Sequence, residues 1–423
     1  MKLSKFNMEI DNSNGKIIYN SLSGGVLSLN KLYADIFSSM NLNKEDFSTE
    51  EEQVIKELKK GLMIVENNLD EIDLLRVMRR KHQFDNSNLS LTIAPTTKCN
   101  FKCPYCYEKG IHQFSMDKEI VNKTIEYIKN NSNGKKNVHI CWYGGEPLLE
   151  MESIIEITNN IKEFMTENKI NYSASMVTNG FLLNQKNTSK LQELAITSLQ
   201  ITIDGDKETH DSRRCLHDGS STYNVILNNI KNIPENISVS IRVNIDTSNS
   251  NIIDEIINLY SNENLNSNVN IYIAPVDNIN DTCNNNCLDI KTFSNLELEL
   301  FKRLRKTNNQ KFFIPSTSLG ICGANSINSF IIGPNGELYK CWNHIGNSKY
   351  IVGSIFEKNK MNELSCSYIL DDPTNDKYCY DCSLLPVCFG GCVDTRIRGN
   401  KNKCTAAKYN IEEKLSIISM MNN

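Results

Sequence analysis

Ala94-Pro95-Thr96-Thr97-Lys98-Cys99-Asn100-Phe101-Lys102-Cys103-Pro104-Tyr105-Cys106-Tyr107 begins at the end of an apolar, strand-like run, Leu89–Ala94. Its cysteines follow the spacing Cys-x3-Cys-x2-Cys, which offers three thiolates to one metal centre. A [4Fe–4S] cube takes four ligands, usually cysteines, so three would leave one iron open. A zinc site with a distant fourth ligand has the same local pattern. The aromatic Tyr105 between the last two cysteines speaks against zinc.

From residue 88 onward, strand-like and helix-like segments alternate. The strand candidates are Leu89–Ala94, Val138–Trp142, Tyr172–Val177, Leu199–Ile203, Val239–Ile245 and Val269–Ala274. Helical patterns such as Asp117–Asn130, Glu152–Glu167 and Ile252–Tyr260 lie between them. This order predicts an α/β fold, a partial (β/α)6 barrel with a parallel sheet and outer helices. Such sheets carry function at the C-terminal ends of their strands, where the cysteine motif sits.

Residues 1–86 read as a separate α+β module. Short strands (Lys16–Tyr19, Gly25–Leu27, Gly61–Val65) flank helical patterns at Leu29–Met40, Thr49–Lys60 and Glu71–His82. A winged-helix-like unit and a plain packing extension are both compatible with that order. Residues 87–277 hold the barrel pattern. Residues 278–310 form a bridge, with a polar loop (Asn278–Asn286) and a helix (Phe293–Lys306). Residues 311–423 are cysteine-rich and close with a helix, Thr405–Met421.

The chain has 423 residues, enough for two or three domains, and a formal net charge of −4. No basic run marks a nucleic-acid surface. No apolar stretch is long enough for a membrane span, and residues 1–20 carry no apolar secretory core. Fifteen cysteines, an odd number, fit a disulfide framework poorly and a reducing cytoplasm well.

Further motifs end the later strands. Gly144-Gly145-Glu146-Pro147 follows the second, and Thr178-Asn179-Gly180 closes the third. Ile201-Thr202-Ile203-Asp204-Gly205 ends the fourth, ahead of His210-Asp211-Ser212-Arg213-Arg214. Arg242-Val243-Asn244 lies on the fifth. Together with the cysteine triad this resembles the radical S-adenosylmethionine (SAM) superfamily. Taken singly, Gly144-Gly145 is also an ordinary turn, and Asn179-Gly180 an ordinary strand exit. The resemblance implies that Cys99, Cys103 and Cys106 hold a [4Fe–4S] cluster whose open iron binds SAM. One electron then cleaves SAM to a 5′-deoxyadenosyl radical. It also implies SAM contacts from Tyr105, Gly145, Glu146, Thr178, Asn179, Thr202 and Arg214. Arg213 competes for the last role, and either arginine can equally be a structural salt bridge.

The distal cysteines run Cys322-x13-Gly336-x4-Cys341, then Cys379-x2-Cys382-x5-Cys388-x3-Cys392, then Cys404. This resembles the SPASM extension of radical SAM enzymes. Two auxiliary [4Fe–4S] clusters are implied, the distal one on Cys379, Cys382, Cys388 and Cys404. The proximal one would use Cys322, Cys341 and Cys392, one thiolate short. Ser316 stands where some relatives supply another cysteine, and Cys283-x3-Cys287 is a spare pair. Cys141, Cys215 and Cys366 read as ordinary thiols.

The resemblance implies a maturase of ribosomally made peptides, of the thioether-forming ranthipeptide or sactipeptide type. The N-terminal module would grip the leader of a precursor peptide. Carbon–carbon crosslinking and epimerisation are the neighbouring alternatives. Formylglycine formation is another, but that branch carries an aspartate base where this chain has Trp342. A low-potential donor, flavodoxin or ferredoxin, is implied. Asp204, Glu146 and His344 are the general-base candidates by motif. Two readings without catalysis, an electron-transfer protein and a zinc adaptor, would need neither the Gly145–Glu146 loop nor Arg214.

Overall fold

The computed structural model describes residues 1–262, 265–279, 286–304, 317–357, 361–399 and 404–419. The chain divides into two compact units, one of residues 1–83, 289–322 and 371–423, the other of residues 84–288 and 323–370.

In the first unit, strand β1 (Lys2–Leu3) pairs antiparallel with β5 (Ile64–Val65). Strands β2 (Asn7–Asn12), β3 (Gly15–Asn20) and β4 (Val26–Asn30) form an antiparallel meander. Gly15 is required there: its φ is +143°, and a Cβ would sit 2.1 Å from the Leu29 carbonyl oxygen. Strand β4 runs on to Asn30 and so takes up the first two residues of the helix read from the sequence. The Asn30 side chain accepts the Tyr33 N–H at 3.1 Å and so starts the helix at Lys31 (Lys31–Ser39). Ser48 and Glu51 form a reciprocal cap on helix Thr49–Lys60. Gly61 caps that helix and Leu62 takes φ +53°, so β5 begins three residues later than its apolar run. Ile18, Phe37, Val54, Leu58 and Met63 form one core. A second core joins Phe6, Leu22, Ile72 and Leu75 to Leu319, Cys379, Leu385 and Phe389. The amino-terminal residues therefore share packing with the cysteine-rich carboxy-terminal segment. Helix Ile290–Leu304 packs on helix Ala407–Ser419. Lys306 and Met421, at the far ends of these two sequence readings, lie outside the described residues.

The second unit is α/β, as the alternating pattern predicts. Six parallel strands lie in sequential order: β6 (Asn88–Ile93), β7 (Asn137–Trp142), β8 (Asn171–Thr178), β9 (Ile196–Thr202), β10 (Ser238–Ile245) and β11 (Val269–Pro275). Helices Lys118–Ser132 and Met151–Glu167 are among the connections. Three short strands extend the β6 edge: β12 (Ser329–Ile332), β13 (Glu337–Tyr339) and β14 (Gly353–Ser354). β12 joins β6 in parallel, and the rest is antiparallel.

Apolar residues at alternate positions of the six strands are mostly buried, as at Ile140, Trp142, Ile201 and Ile241. The opposite face is half-buried and polar: His139, Cys141, Ser173, Ser175, Gln200 and Arg242. Parallel sheets are normally apolar on both faces, so this alternation sets the face apart from ordinary core. Its groups bond across strands, with the His139 ring nitrogens each 2.9 Å from the Ser173 and Ser175 hydroxyls.

Candidate active site

The cysteine loop leaves β6 at Ala94 and is pinned at both ends. Thr97 N–H donates to the Phe114 carbonyl at 2.9 Å, and Met116 N–H to that of Pro95 at 2.9 Å. Thr96 Oγ1 accepts the Lys98 N–H at 3.0 Å and donates to the Phe114 carbonyl at 2.8 Å. Further along, Lys102 N–H donates to the Cys215 carbonyl at 3.2 Å, and the His217 ring bonds the Cys99 carbonyl at 2.8 Å. The loop is thus tied to the segment just after Arg214.

All three cysteines are free. Burial pushes Cys99 and Cys106 up to about 12 and raises Cys103. Thiols held this way become thiolates when a metal group displaces their protons. The Phe101 N–H at 3.4 Å and the Asn179 amide at 3.9 Å donate to Cys99 Sγ.

Gly144 and Gly145 make room for this loop. A Cβ on Gly144 would meet the Thr96 carbonyl oxygen at 2.4 Å, and one on Gly145 the Lys98 carbonyl oxygen at 2.3 Å. Gly145 N–H donates to Thr96 at 3.1 Å and Glu146 N–H to Lys98 at 2.9 Å. The two glycines therefore let β7 close against the cysteine loop itself.

Glu146 is fully buried and accepts three hydrogen bonds, from the Thr178 hydroxyl (2.7 Å), the Asn179 N–H (2.8 Å) and the Leu148 N–H (3.0 Å). Burial raises its pKa despite these donors. Its carboxylate joins the ends of β7 and β8. Asn179 Nδ2 in turn donates to Asn100 Oδ1 at 2.7 Å, which brings the end of β8 to the cysteine loop. Thr202 is buried at the end of β9.

The two arginines divide their work. Arg213 Nε donates to Asp204 at 3.2 Å, and its Nη1 to Asp246 at 3.0 Å and to Ser248 at 2.7 Å. It is a buried structural pair. Arg214 Nη1 donates to the Tyr105 hydroxyl at 2.8 Å, while its buried Nε has no hydrogen-bond partner. Burial works against the Arg214 charge, but Cys103, Tyr105 and Asp204 together hold its pKa well above the usual range. Tyr105 donates to Asp204, and the Asn244 amide reaches Tyr105 at 3.3 Å.

Three free thiols, a Cβ-free loop and an arginine with an unused buried donor suit a [4Fe–4S] cluster and a ligand that carries a carboxylate. Of the three general-base candidates, Asp204 is held by Tyr105, Arg213 and the Asn244 N–H, and Glu146 by its three donors. His344 is buried and stacked on Tyr350 at 3.6 Å.

Other groups escaped the sequence reading. His210 accepts the Asp204 N–H at 3.3 Å through Nδ1 and meets Thr222 through Nε2 at 3.1 Å. Burial and the Arg214 charge push its pKa down to about 4. Burial lifts the Glu108 carboxyl to about 8, with the Tyr107 hydroxyl donating at 3.3 Å. Tyr143, hydrogen-bonded to Tyr107, stacks on the half-exposed Trp342 at 5.6 Å. The signal for Tyr143 was available: His139-x-Cys141-x-Tyr143 is polar at alternate positions of a strand expected to be apolar.

In the first unit, Cys379, Cys382, Cys388 and Cys404 line one pocket with Leu384, Leu385 and Val387. Cys322 and Cys392 are exposed in that unit, and Cys341 is half-buried in the second. Cys287 is disulfide-bonded, which withholds its sulfur from a cluster. Cys283 and Ser316 lie outside the described residues. No described helix is long and apolar enough to cross a membrane.

Residues 93–260 match the family model described as the Radical SAM superfamily. The cysteine-type anaerobic sulfatase-maturating enzyme of Clostridium novyi is 27% identical over 72% of this chain and 88% of its own length. The serine-type enzyme of Klebsiella aerogenes is 21% identical over 72% and 80%. Among solved structures, native anSMEcpe with bound AdoMet and Cp18Cys peptide aligns with a TM-score of 0.62 at 18% identity, covering 79% of this chain and 99% of that one. Streptococcus suis SuiB bound to precursor peptide SuiA aligns at 0.55 and 16% identity, covering 96% and 98%. These structures share the fold.

Proposed function

We propose that this chain, a radical SAM enzyme through its residues 93–260, modifies a ribosomally made precursor peptide by joining cysteine sulfur to carbon. The observation that carries the radical SAM part is the convergence of three free cysteines, the Gly144-Gly145-Glu146 loop and the unpartnered Arg214 Nε at strand ends of one sheet. Once bound, the cluster and SAM supply the one-electron cleavage that makes a 5′-deoxyadenosyl radical.

The residues present have definable tasks around that chemistry. Cys99, Cys103 and Cys106 would hold the cluster. Arg214, steadied by Tyr105, would take the carboxylate of SAM in a charge-assisted bond. Glu146, Thr178 and Asn179 fix the ends of β7 and β8 so that the ligand meets a preset shape. The polar face of the sheet, with His139, Gln200 and Arg242, would receive the peptide segment.

Support for a peptide substrate comes from the neighbours, whose names speak of sulfatase maturation, of a bound peptide and of a precursor peptide. Support for the thioether comes from the cysteine count. The set assigned to the proximal auxiliary cluster (Cys322, Cys341, Cys392) is one thiolate short of four, a place that a peptide cysteine fits. The distal set is complete. Formylglycine formation has the sulfatase-maturating relatives in its favour and Trp342, in place of an acidic residue, against it. A flavodoxin or ferredoxin would deliver the electron.

Mass spectrometry of the precursor peptide after incubation with reconstituted protein, SAM and dithionite tests the reading. The expected product has lost two hydrogens per link and no longer alkylates at cysteine. Free cysteines beside an altered carbon would replace the thioether with carbon–carbon chemistry. No 5′-deoxyadenosine at all would end the radical SAM reading.

A further inference from the structure

The cavity lined by Cys379, Cys382, Cys388 and Cys404 has apolar walls on most sides, but two polar side chains touch its sulfurs. Lys408 Nζ donates to Cys382 Sγ at 3.7 Å. The Tyr378 hydroxyl lies 3.9 Å from Cys404 Sγ, and the Lys408 ammonium stands 5.7 Å from the centre of the Tyr378 ring. Asp381, beside Cys382 in sequence, pairs with Lys377 at 2.7 Å and Lys5 at 3.8 Å. Among the described residues Lys408 has no carboxylate partner.

Its placement also runs against the helix it belongs to. Lys408 is the second residue of helix Ala407–Ser419, where the backbone N–H groups carry partial positive charge. A cation there is unfavourable unless something negative faces it. Here the facing groups are cysteine sulfurs.

We propose that Lys408, seconded by Tyr378, raises the reduction potential of the iron–sulfur cluster held by Cys379, Cys382, Cys388 and Cys404. The inference rests on the reading that these four cysteines hold a cluster. Reduction adds one negative charge to a cube and its thiolates. An ammonium 3.7 Å from one ligand sulfur stabilises that added charge directly, and the Tyr378 hydroxyl, able to donate to Cys404 once that sulfur is a thiolate, does so more weakly. The distal cluster is thereby biased toward taking an electron, which suits an acceptor for the one electron left over when a peptide thiolate and a carbon radical close the sulfur–carbon bond.

The test is a redox titration of the full-length, reconstituted protein, followed by electron paramagnetic resonance on the signal that Cys379→Ala abolishes. Lys408→Leu should shift that signal to lower potential with the iron content unchanged. Lys408→Arg, which keeps charge and donors, should stay near the wild type. Tyr378→Phe should shift it the same way by less. Because Lys408 is solvent-exposed, its field is screened over about 10 Å at 0.1 M salt. High salt should therefore narrow the gap between wild type and Lys408→Leu.

Equal potentials in wild type and Lys408→Leu would overturn the proposal. So would equal shifts in Lys408→Leu and Lys408→Arg, which would point to packing. Loss of iron in Lys408→Leu would make Lys408 a retention residue and likewise overturn it. If wild type shows no signal that Cys379→Ala removes, the four-cysteine cluster itself is refuted, whereas SAM cleavage at Cys99, Cys103 and Cys106 would stand.

Discussion

Two cysteine sites on one chain are built in opposite ways. Around Cys99, Cys103 and Cys106 nearly every polar group is held by another: Glu146 by three donors, Asp204 by Tyr105, Arg213 and a backbone N–H. One buried donor, Arg214 Nε, is left over. Around Cys379, Cys382, Cys388 and Cys404 the walls are mostly apolar, and the two polar contacts come from exposed side chains. A dense network with one unused donor suits a polar organic ligand that must be oriented. An apolar pocket of four thiols suits an inorganic group that needs only ligation and a tuned field. On the proposed function, the difference is between a first site that recognises and a second that holds.

The sharpest way to break the comparison is to remove one sulfur from each site. Cys103→Ser should abolish 5′-deoxyadenosine formation altogether. Cys379→Ser should cost the iron of one cluster and the modified peptide, yet leave measurable SAM cleavage. Iron and sulfide counts together with 5′-deoxyadenosine yield check both. If Cys379→Ser also silenced SAM cleavage, the division between recognising and holding would fail.

Next comes the pair of neighbouring arginines, which separates fold from ligand within the first site. Arg213→Leu leaves Asp204 and Asp246 buried without their cation and should cost about 3–5 kcal/mol of stability. Arg214→Lys keeps the charge but loses the fork that a carboxylate prefers. It should weaken SAM binding about tenfold or more, at a stability close to wild type. Denaturant midpoints and a SAM titration tell the two apart, and a reversal of these effects would exchange their roles.

How far the sequence led differs between the two sites for the same physical reason. The cysteine triad was legible because its ligands sit on one short loop, where spacing is nearly geometry. The six strands β6–β11 were legible from buried apolar positions recurring between helical segments. The extension of the sheet through β12, β13 and β14 was not, because runs of four, three and two residues carry no period, and β12 joins β6 from far along the chain. Nor was the core shared by Phe6, Leu75, Leu385 and Phe389, whose partners lie hundreds of residues apart. The choice between Arg213 and Arg214 needed the positions of Asp246 and Ser248, which no local pattern supplies. His210 looked like part of a polar run, and only the fold buries it between Asp204 and Thr222.

That histidine gives the first site a pH dependence. Its folded pKa of about 4 lies below the unfolded value, near 6.5. The unfolded chain therefore binds the extra proton between those two values, and stability falls as the pH drops through that window. Above about pH 6.5 the neutral ring contributes fully, and the loss by pH 4 is on the order of 3 kcal/mol. His210→Asn, which keeps an acceptor for the Asp204 N–H, should flatten the slope of denaturation midpoint against pH between 6.5 and 4. An unchanged slope would place the acid sensitivity elsewhere.

The smallest expected effect is at Trp342, at the rim of the first site. The indole is half-exposed and stacks on Tyr143, one residue before the Gly144-Gly145 loop. Such a stack is worth about 0.5–1.5 kcal/mol, so Trp342→Ala should lower stability by about 1 kcal/mol. The hydrogen bonds of Glu146 with Thr178, Asn179 and Leu148, and of Arg214 with Tyr105, do not involve this ring. SAM cleavage without peptide should therefore run at the wild-type rate, while the yield of modified peptide per 5′-deoxyadenosine falls a few-fold. Equal losses in both would make Trp342 part of the recognition network and blur the boundary between a site that orients its ligand and the surface around it.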